Sequence, residues 1–347
     1  MRPPACARWR LVGARLHGRP RGFTLVEVMV ALAIGMLILL ALAVMFSRNN
    51  GNQTELERTS RQLESARFAL DLLTEEIMHA GFYGDFNPNT MINAPTYLTP
   101  GPCPAALADL GWVTPGGGAA PSLPVAVQGI PAATAIGCGA AAANRLGGTQ
   151  ALSIRHAETS AVLTPASVTA GNLYVQTSRC KTDLSRILVG SAAADFTLRV
   201  PACDAVNVRV RRAVQRTYYL ASCNDCAVGD GIPTLRRLEW IDGNLLDTPL
   251  AEGVENLQLQ FGIDNDADGW PDQFVDAGAI TGVAPLLWTN VVAVRAHLLT
   301  RTTQPTAGYI DPRTYTIGAV VVTPADSFKR VLLSSTVRLH NVGGRRE

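Results

Sequence analysis

The sequence predicts an α+β protein in which one long amino-terminal helix packs on an antiparallel β-sheet domain. Three observations lead there. The run from Phe23 to Phe46 is apolar apart from Thr24 and Glu27. After a short polar stretch, apolar residues recur at helical spacing as far as Ala80. From residue 150 onward, alternating and β-branched segments separated by turn residues dominate.

Taken in order, the first element is a leader. Residues 1–22 hold six arginines and no acid, whereas the chain as a whole has a formal charge of +2. Setting the leader aside leaves residues 23–347 at −4, so the body offers no basic face for nucleic acid. The apolar run follows, residues 23–46. At about 1.5 Å per residue it reaches roughly 36 Å as a helix, enough to cross a hydrocarbon core of about 30 Å. Arginines before it and an acidic body after it predict the amino end inside and the body outside. No small-residue cleavage site follows the run, which ends in Ser47-Arg48-Asn49-Asn50, so the span is expected to stay in the mature protein.

Glu27 is unusual in such a segment, because a carboxylate in hydrocarbon costs roughly 2.5–3.5 kcal/mol even on an insertion scale. Its place in the first turns of the helix sets it at the positive end of the macrodipole. In a bundle of identical spans, an amine on a neighbour is its natural partner. The segment RGFTLVE resembles the processing site of type IV prepilins. That resemblance implies cleavage after Gly22 and N-methylation of the new terminus, Phe23. It also makes Glu27 the acid that recruits the subunit into a filament. The leader is longer than those of the family, which points to a start codon downstream of Met1.

Residues 47–81 are expected to continue the helix as an amphipathic half. Gly51 loosens it, Gly81 ends it, and Leu56, Leu63, Leu70 and Ile77 form a stripe with Ala66, Leu73 and Ala80. Residues 82–150 are rich in Pro, Gly and Ala. Nine prolines between Pro88 and Pro131 argue for a loop region without long regular elements. Residues 151–347 form the β-rich domain. Its strands are QALSIRHA, NLYVQT, RILVG, DFTLRV, VNVRVRRAVQRTYYLA, TLRRLEWI, VENLQLQFGI, NVVAVRAHLLTR and RVLLSSTVRLH, with antiparallel turns such as Asp242-Gly243-Asn244.

The stretches SARFALDLLTEEIMHAGFYG, GVENLQLQFGIDNDADGWPDQFVDA, NVVAVRAHLLTRT and KRVLLSSTVRLHN resemble the PilW group of minor pilins. With the processing site they cover about a third of the chain, in the expected order. The resemblance implies a pilin-like fold and a protein held in the inner membrane with its carboxy-terminal domain in the periplasm. It also implies incorporation into the type IV pilus, the fibre at the cell surface after assembly, with a place in a tip complex that initiates assembly. The implied partners are other major and minor pilins, the prepilin peptidase and methyltransferase, and the assembly machinery. Twitching motility and adhesion then follow from the pilus.

Six cysteines lie outside the leader, and an even set fits disulfides in an oxidising compartment. Several connectivities are open; pairing of neighbours, Cys103–Cys138, Cys180–Cys203 and Cys223–Cys226, is the favoured one. Cys223-Asn-Asp-Cys226 is followed by turn residues rather than a helix, so a structural bridge is expected over a redox pair or a metal site. The run Asp264-Asn-Asp266-Ala-Asp268-Gly269-Trp270-Pro-Asp272 alternates acids ahead of a glycine. This pattern is expected to wrap Ca2+ through Asp264, Asp266, Asp268, the Trp270 carbonyl and Asp272. Val275 stands where an EF-hand has Glu, and an Asx-rich turn is the alternative.

No nucleophile–base pair, phosphate loop or dinucleotide fingerprint is found, and the five histidines are scattered, so catalysis is not expected. The competing readings are a type II secretion pseudopilin, which shares the spine, and a membrane-anchored calcium-dependent adhesin that never polymerises.

Overall fold

A computed structural model describes residues 22–346, apart from 86, 89–94, 114–119, 161, 184 and 284–286. The arginine-rich leader ahead of Gly22 lies outside the described residues. Contact clustering divides the chain into two compact units, 1–55 and 56–347. The helix α1, Leu25–His79, contributes to both and runs through Gly51, which does not break it.

In the first unit, α1 presents a 23-residue span, Leu25–Ser47, long and apolar enough to cross a membrane. Its large side chains, among them Leu25, Met29, Leu32 and Met36, are exposed. Bare hydrocarbon on this scale is stable in lipid or against other apolar helices, not in water.

In the second unit, the remainder of α1 packs on two sheets. The elements after it are β1 (Thr96–Leu98), β2 (Ser122–Pro124), β3 (Val127–Ile130), α2 (Ala140–Asn144), β4 (Ala151–Ala157), β5 (Tyr174–Thr177), β6 (Ile187–Gly190) and β7 (Val210–Ala221). There follow β8 (Thr234–Ile241), β9 (Asn244–Glu252), β10 (Val254–Ile263), β11 (Gln273–Asp276), β12 (Val291–Arg301), β13 (Tyr315–Ile317), β14 (Val320–Val322), β15 (Arg330–Arg338) and α3 (His340–Gly343). One sheet has four antiparallel strands in the order β11-β10-β12-β15. The other has seven; its centre is the 12-residue β7, which pairs with β4, β5 and β8. β8 and β9 are joined by Asp242-Gly243, both at positive φ, the two-residue hairpin loop that matches strand twist.

Both sheets bury one face against α1. Ala69, Leu73, Ile77 and Ala80 share a core with Leu152, Ile154, Tyr218 and Leu235 of the seven-stranded sheet, and with Leu257, Phe261, Val294 and Leu298 of the four-stranded one. The seam runs through Ala66, Ala69, Leu73, Ile77 and Ala80, all fully buried, while Leu63 and Leu70 are half-buried on its flank. Leu56, expected on the stripe, is 71% exposed. The small alanines let the helix approach two sheets at once, which a leucine at each seam position would prevent.

Polar residues set the register. Gln62 donates to the Thr300 and Lys329 carbonyls, both at 3.0 Å, and the Ser65 hydroxyl donates to the Glu252 carbonyl at 2.7 Å. At the far end, Gly81 takes φ +71°, and Asn341 Nδ2 donates to Met78 O at 3.1 Å while Arg345 donates to Gly81 O at 2.7 Å. The chain's own carboxy-terminal segment thus satisfies carbonyls that the helix end leaves open.

Two segments differ from expectation. DFTLRV (195–200) forms no regular strand. The Gln176 side chain takes the partner's role, accepting from Leu198 N at 2.9 Å and donating to Val208 O at 2.6 Å. Conversely NLLDTPLAE, poor in β-formers, is the nine-residue β9, held by the tight turn and by β8.

Leu73→Ala removes a fully buried side chain from the junction of helix and both sheets and is expected to cost about 2–5 kcal/mol. Leu56→Ala, at an exposed position, is expected to stay within about 0.5 kcal/mol. Chemical denaturation of the two variants in detergent measures both.

Candidate functional site

The amino-terminal site is built on the first turn of α1. Phe23 is exposed and precedes the helix, and Thr24 is its N-cap. Glu27 Oε2 accepts from the Thr24 backbone N–H at 2.8 Å and from the Thr24 hydroxyl at 2.9 Å, and Thr24 Oγ1 accepts from Glu27 N at 3.3 Å. This is a reciprocal capping box, which satisfies two of the amides a helix start leaves open. The sequence reading singled out Glu27 but passed over Thr24, although the T-x-x-E spacing was legible. Because the box uses the Thr24 amide and not the Gly22–Phe23 peptide, cutting that peptide leaves it intact. Both bonds to the carboxylate fall on Oε2, and Glu27 is exposed.

The second site is the loop between β10 and β11. The carboxylates of Asp264, Asp266 and Asp268 bring one oxygen each within 4.8 Å of one another. Asp264, 1% exposed, is already engaged: its carboxylate accepts from Ala267 N at 2.6 Å, from Gly269 N at 2.9 Å and from Arg346 Nη1 at 2.9 Å. Burial pushes the Asp264 carboxyl up, but the Gly269 amide, the Arg346 guanidinium and the Ala267 amide together hold it below the usual range. Asp266 and Asp268 are exposed and accept from the next-but-one amides, Asp268 N and Trp270 N. Asp272 accepts from Asn265 N at 2.7 Å. Trp270, 57% exposed, stacks on Arg338, whose guanidinium carbon lies 3.9 Å from the ring centroid. The loop therefore gathers acids as its sequence implies, with Arg346 standing as an internal cation beside Asp264.

The cysteines are joined as Cys103–Cys138, Cys180–Cys203 and Cys223–Cys226, with Cα separations of 5.3, 5.1 and 5.0 Å. Cys223 and Cys226 close a turn after β7, whose Asp230 carboxylate accepts from Asn224 N, Asp225 N and Ile232 N. His297 lies half-buried on β12, with Nδ1 2.7 Å from Ser334 Oγ.

A charged cluster joins α1 to the larger sheet, and sequence reasoning did not find it. Glu76 pairs with Arg216 at 2.6 Å and lies 3.8 Å from His156 Nε2; Glu239 pairs with Arg212 at 2.9 Å, and with Arg216 and Arg237 at 3.1 Å each. Its members are scattered over four elements, so no local spacing betrays it.

Comparison with known proteins bears on both ends of this architecture. The prokaryotic N-terminal methylation motif matches residues 18–43, and the model of type IV pilus-assembly protein W matches residues 217–341. No curated protein matches the chain. Among solved structures, a type IV-like pilin from Thermus thermophilus aligns with 81% of this chain and 97% of its own, at 12% identity and a TM-score of 0.35. The amino-terminal end is thus similar to the methylation segment of prepilins, at the start of the apolar helix. The carboxy-terminal half of the β-rich unit is similar to type IV pilus-assembly protein W, over strands β7 to β15.

The depressed Asp264 carboxyl makes a pH prediction. Its contribution to stability is fully present above the unfolded carboxyl value of about 3.9 and is lost as pH falls through the lower folded value. Arg346→Gln is expected to cost roughly 1–2 kcal/mol at neutral pH and to flatten the acid limb below about pH 4. Melting curves of both proteins across that range test it.

Proposed function

We propose that this chain is a minor pilin that is cut after Gly22, methylated on Phe23, and built into a type IV pilus as part of a tip complex that starts assembly. The observation that carries the reading is the placement of the methylation motif. It falls where an exposed apolar helix begins, at a Glu27 held ready by its own Thr24. With the leader gone, Phe23 gains an amine, and the amine of one subunit meets the Glu27 carboxylate of another in a medium where either charge alone is costly. The body then lies in the periplasm and docks on other pilins; twitching and adhesion are properties of the assembled fibre.

Mass spectrometry of the mature protein is expected to show a methylated Phe23 terminus; a chain that keeps its arginine-rich leader overturns the reading. Glu27→Ala is expected to leave membrane insertion intact and to lower recovery of the subunit in sheared pili by tenfold or more, on the order of 1.4 kcal/mol of lost contact. A plain membrane-anchored adhesin would be indifferent to that change. Deletion is expected to remove pili and spare secretion, whereas the reverse result assigns the chain to the type II secretion pseudopilins.

The same proposal keeps Ca2+ for the Asp264–Asp272 loop, on the convergence of Asp264, Asp266 and Asp268. Millimolar calcium is expected to raise the melting temperature and a chelator to reverse it. An unchanged transition leaves Arg346 as the cation that serves the loop.

A further inference from the structure

Arg155, on β4, points away from α1 and is fully buried. Its Nε donates to Gln215 Oε1 at 3.0 Å, and Nη2 donates to Pro100 O at 2.6 Å and Gln128 Oε1 at 3.0 Å. All three acceptors are neutral. Among the described residues the buried Nη1 has no partner, and no carboxylate lies within ion-pair distance of the guanidinium. Burial depresses the group to about 9, which leaves it cationic at neutral pH. A cation so placed is expensive without a counter-charge, and a water on Nη1 would satisfy the hydrogen bond but not the charge.

A second orphan donor lies in the same region. Trp112 is 3% exposed and, among the described residues, its buried Nε1 has no partner. Its ring meets Tyr83 edge-on at 5.4 Å. Gly111, next to Trp112, sits against Pro100, the residue whose carbonyl Arg155 holds; a Cβ there would come within 2.4 Å of the Pro100 ring.

We propose that Arg155 Nη1 and Trp112 Nε1 hold a small monovalent anion, chloride in size and charge, beneath the 95–113 segment. The site ties the sheet to a stretch of backbone that the neighbouring polar row already grips. Gln215 donates to Gly101 O at 2.9 Å and Thr217 to Pro102 O at 3.4 Å, just ahead of the Cys103–Cys138 bridge. The anion completes this clasp by neutralising its central cation.

The test uses the full chain in detergent, melted at equal ionic strength in sodium chloride, bromide and gluconate. Chloride and bromide are expected to raise the melting temperature over gluconate by about 2 °C or more. The increment is expected to shrink in Trp112→Phe, which keeps the ring and loses the donor, and to vanish in Arg155→Gln. Crystals grown with bromide are expected to show an anomalous peak in contact with Nη1. Identical melting in the three salts, or density at Nη1 with no bromide signal, means water alone and overturns the site.

Discussion

Close approach of one helix face to two sheets is the constraint on which the rest of the second unit depends. Ala66, Ala69 and Ala80 hold the backbone near the strands, and Leu73 and Ile77 fill the space between them. Such a seam tolerates little change in volume, since neither sheet can retreat without opening a gap on the other. It also carries Glu76 into the packed face, on the same helix and only 9% exposed. That acid is kept ionised from the sheet side. Burial pushes it up, but His156 and Arg216 hold it below its ordinary value. The charge cluster therefore fixes which residue of the helix faces β4 and β7, where apolar contact alone would permit slippage by a turn.

Carbonyl groups at the edges of the structure are handled in a consistent way. Gln62 and Ser65 take strand-end carbonyls near one end of the docked helix, and Asn341 and Arg345 take helix-end carbonyls at the other. Arg155, Gln215 and Thr217 take three successive carbonyls, Pro100 to Pro102, on the far side of the larger sheet. A proline-rich segment has few amides to offer a ladder, so side-chain donors supply its attachment instead.

The amino-terminal helix obeys a different economy of contacts. Its apolar residues are exposed, and its one acid is held by Thr24 in a local box. Among the described residues of the first unit nothing covers these side chains, which is the behaviour expected of a segment long and apolar enough to cross a membrane.

The apolar span, the glycine before it and the placement of Glu27 were readable from residue order, because each depends on neighbours within a few positions. So were the hairpin at Asp242-Gly243 and the gathering of acids at 264–272. The helix seam was read nearly right, but Leu56 was placed on it because heptad spacing does not reveal where the sheets stop. DFTLRV looked like a strand and is not one, since the Gln176 side chain takes the partner's place. Tertiary structure alone decided the Glu76–His156–Arg216 cluster, the tether of Asp264 to Arg346, and the unpaired burial of Arg155. Each unites residues tens to more than a hundred positions apart, and no local period or propensity carries that information.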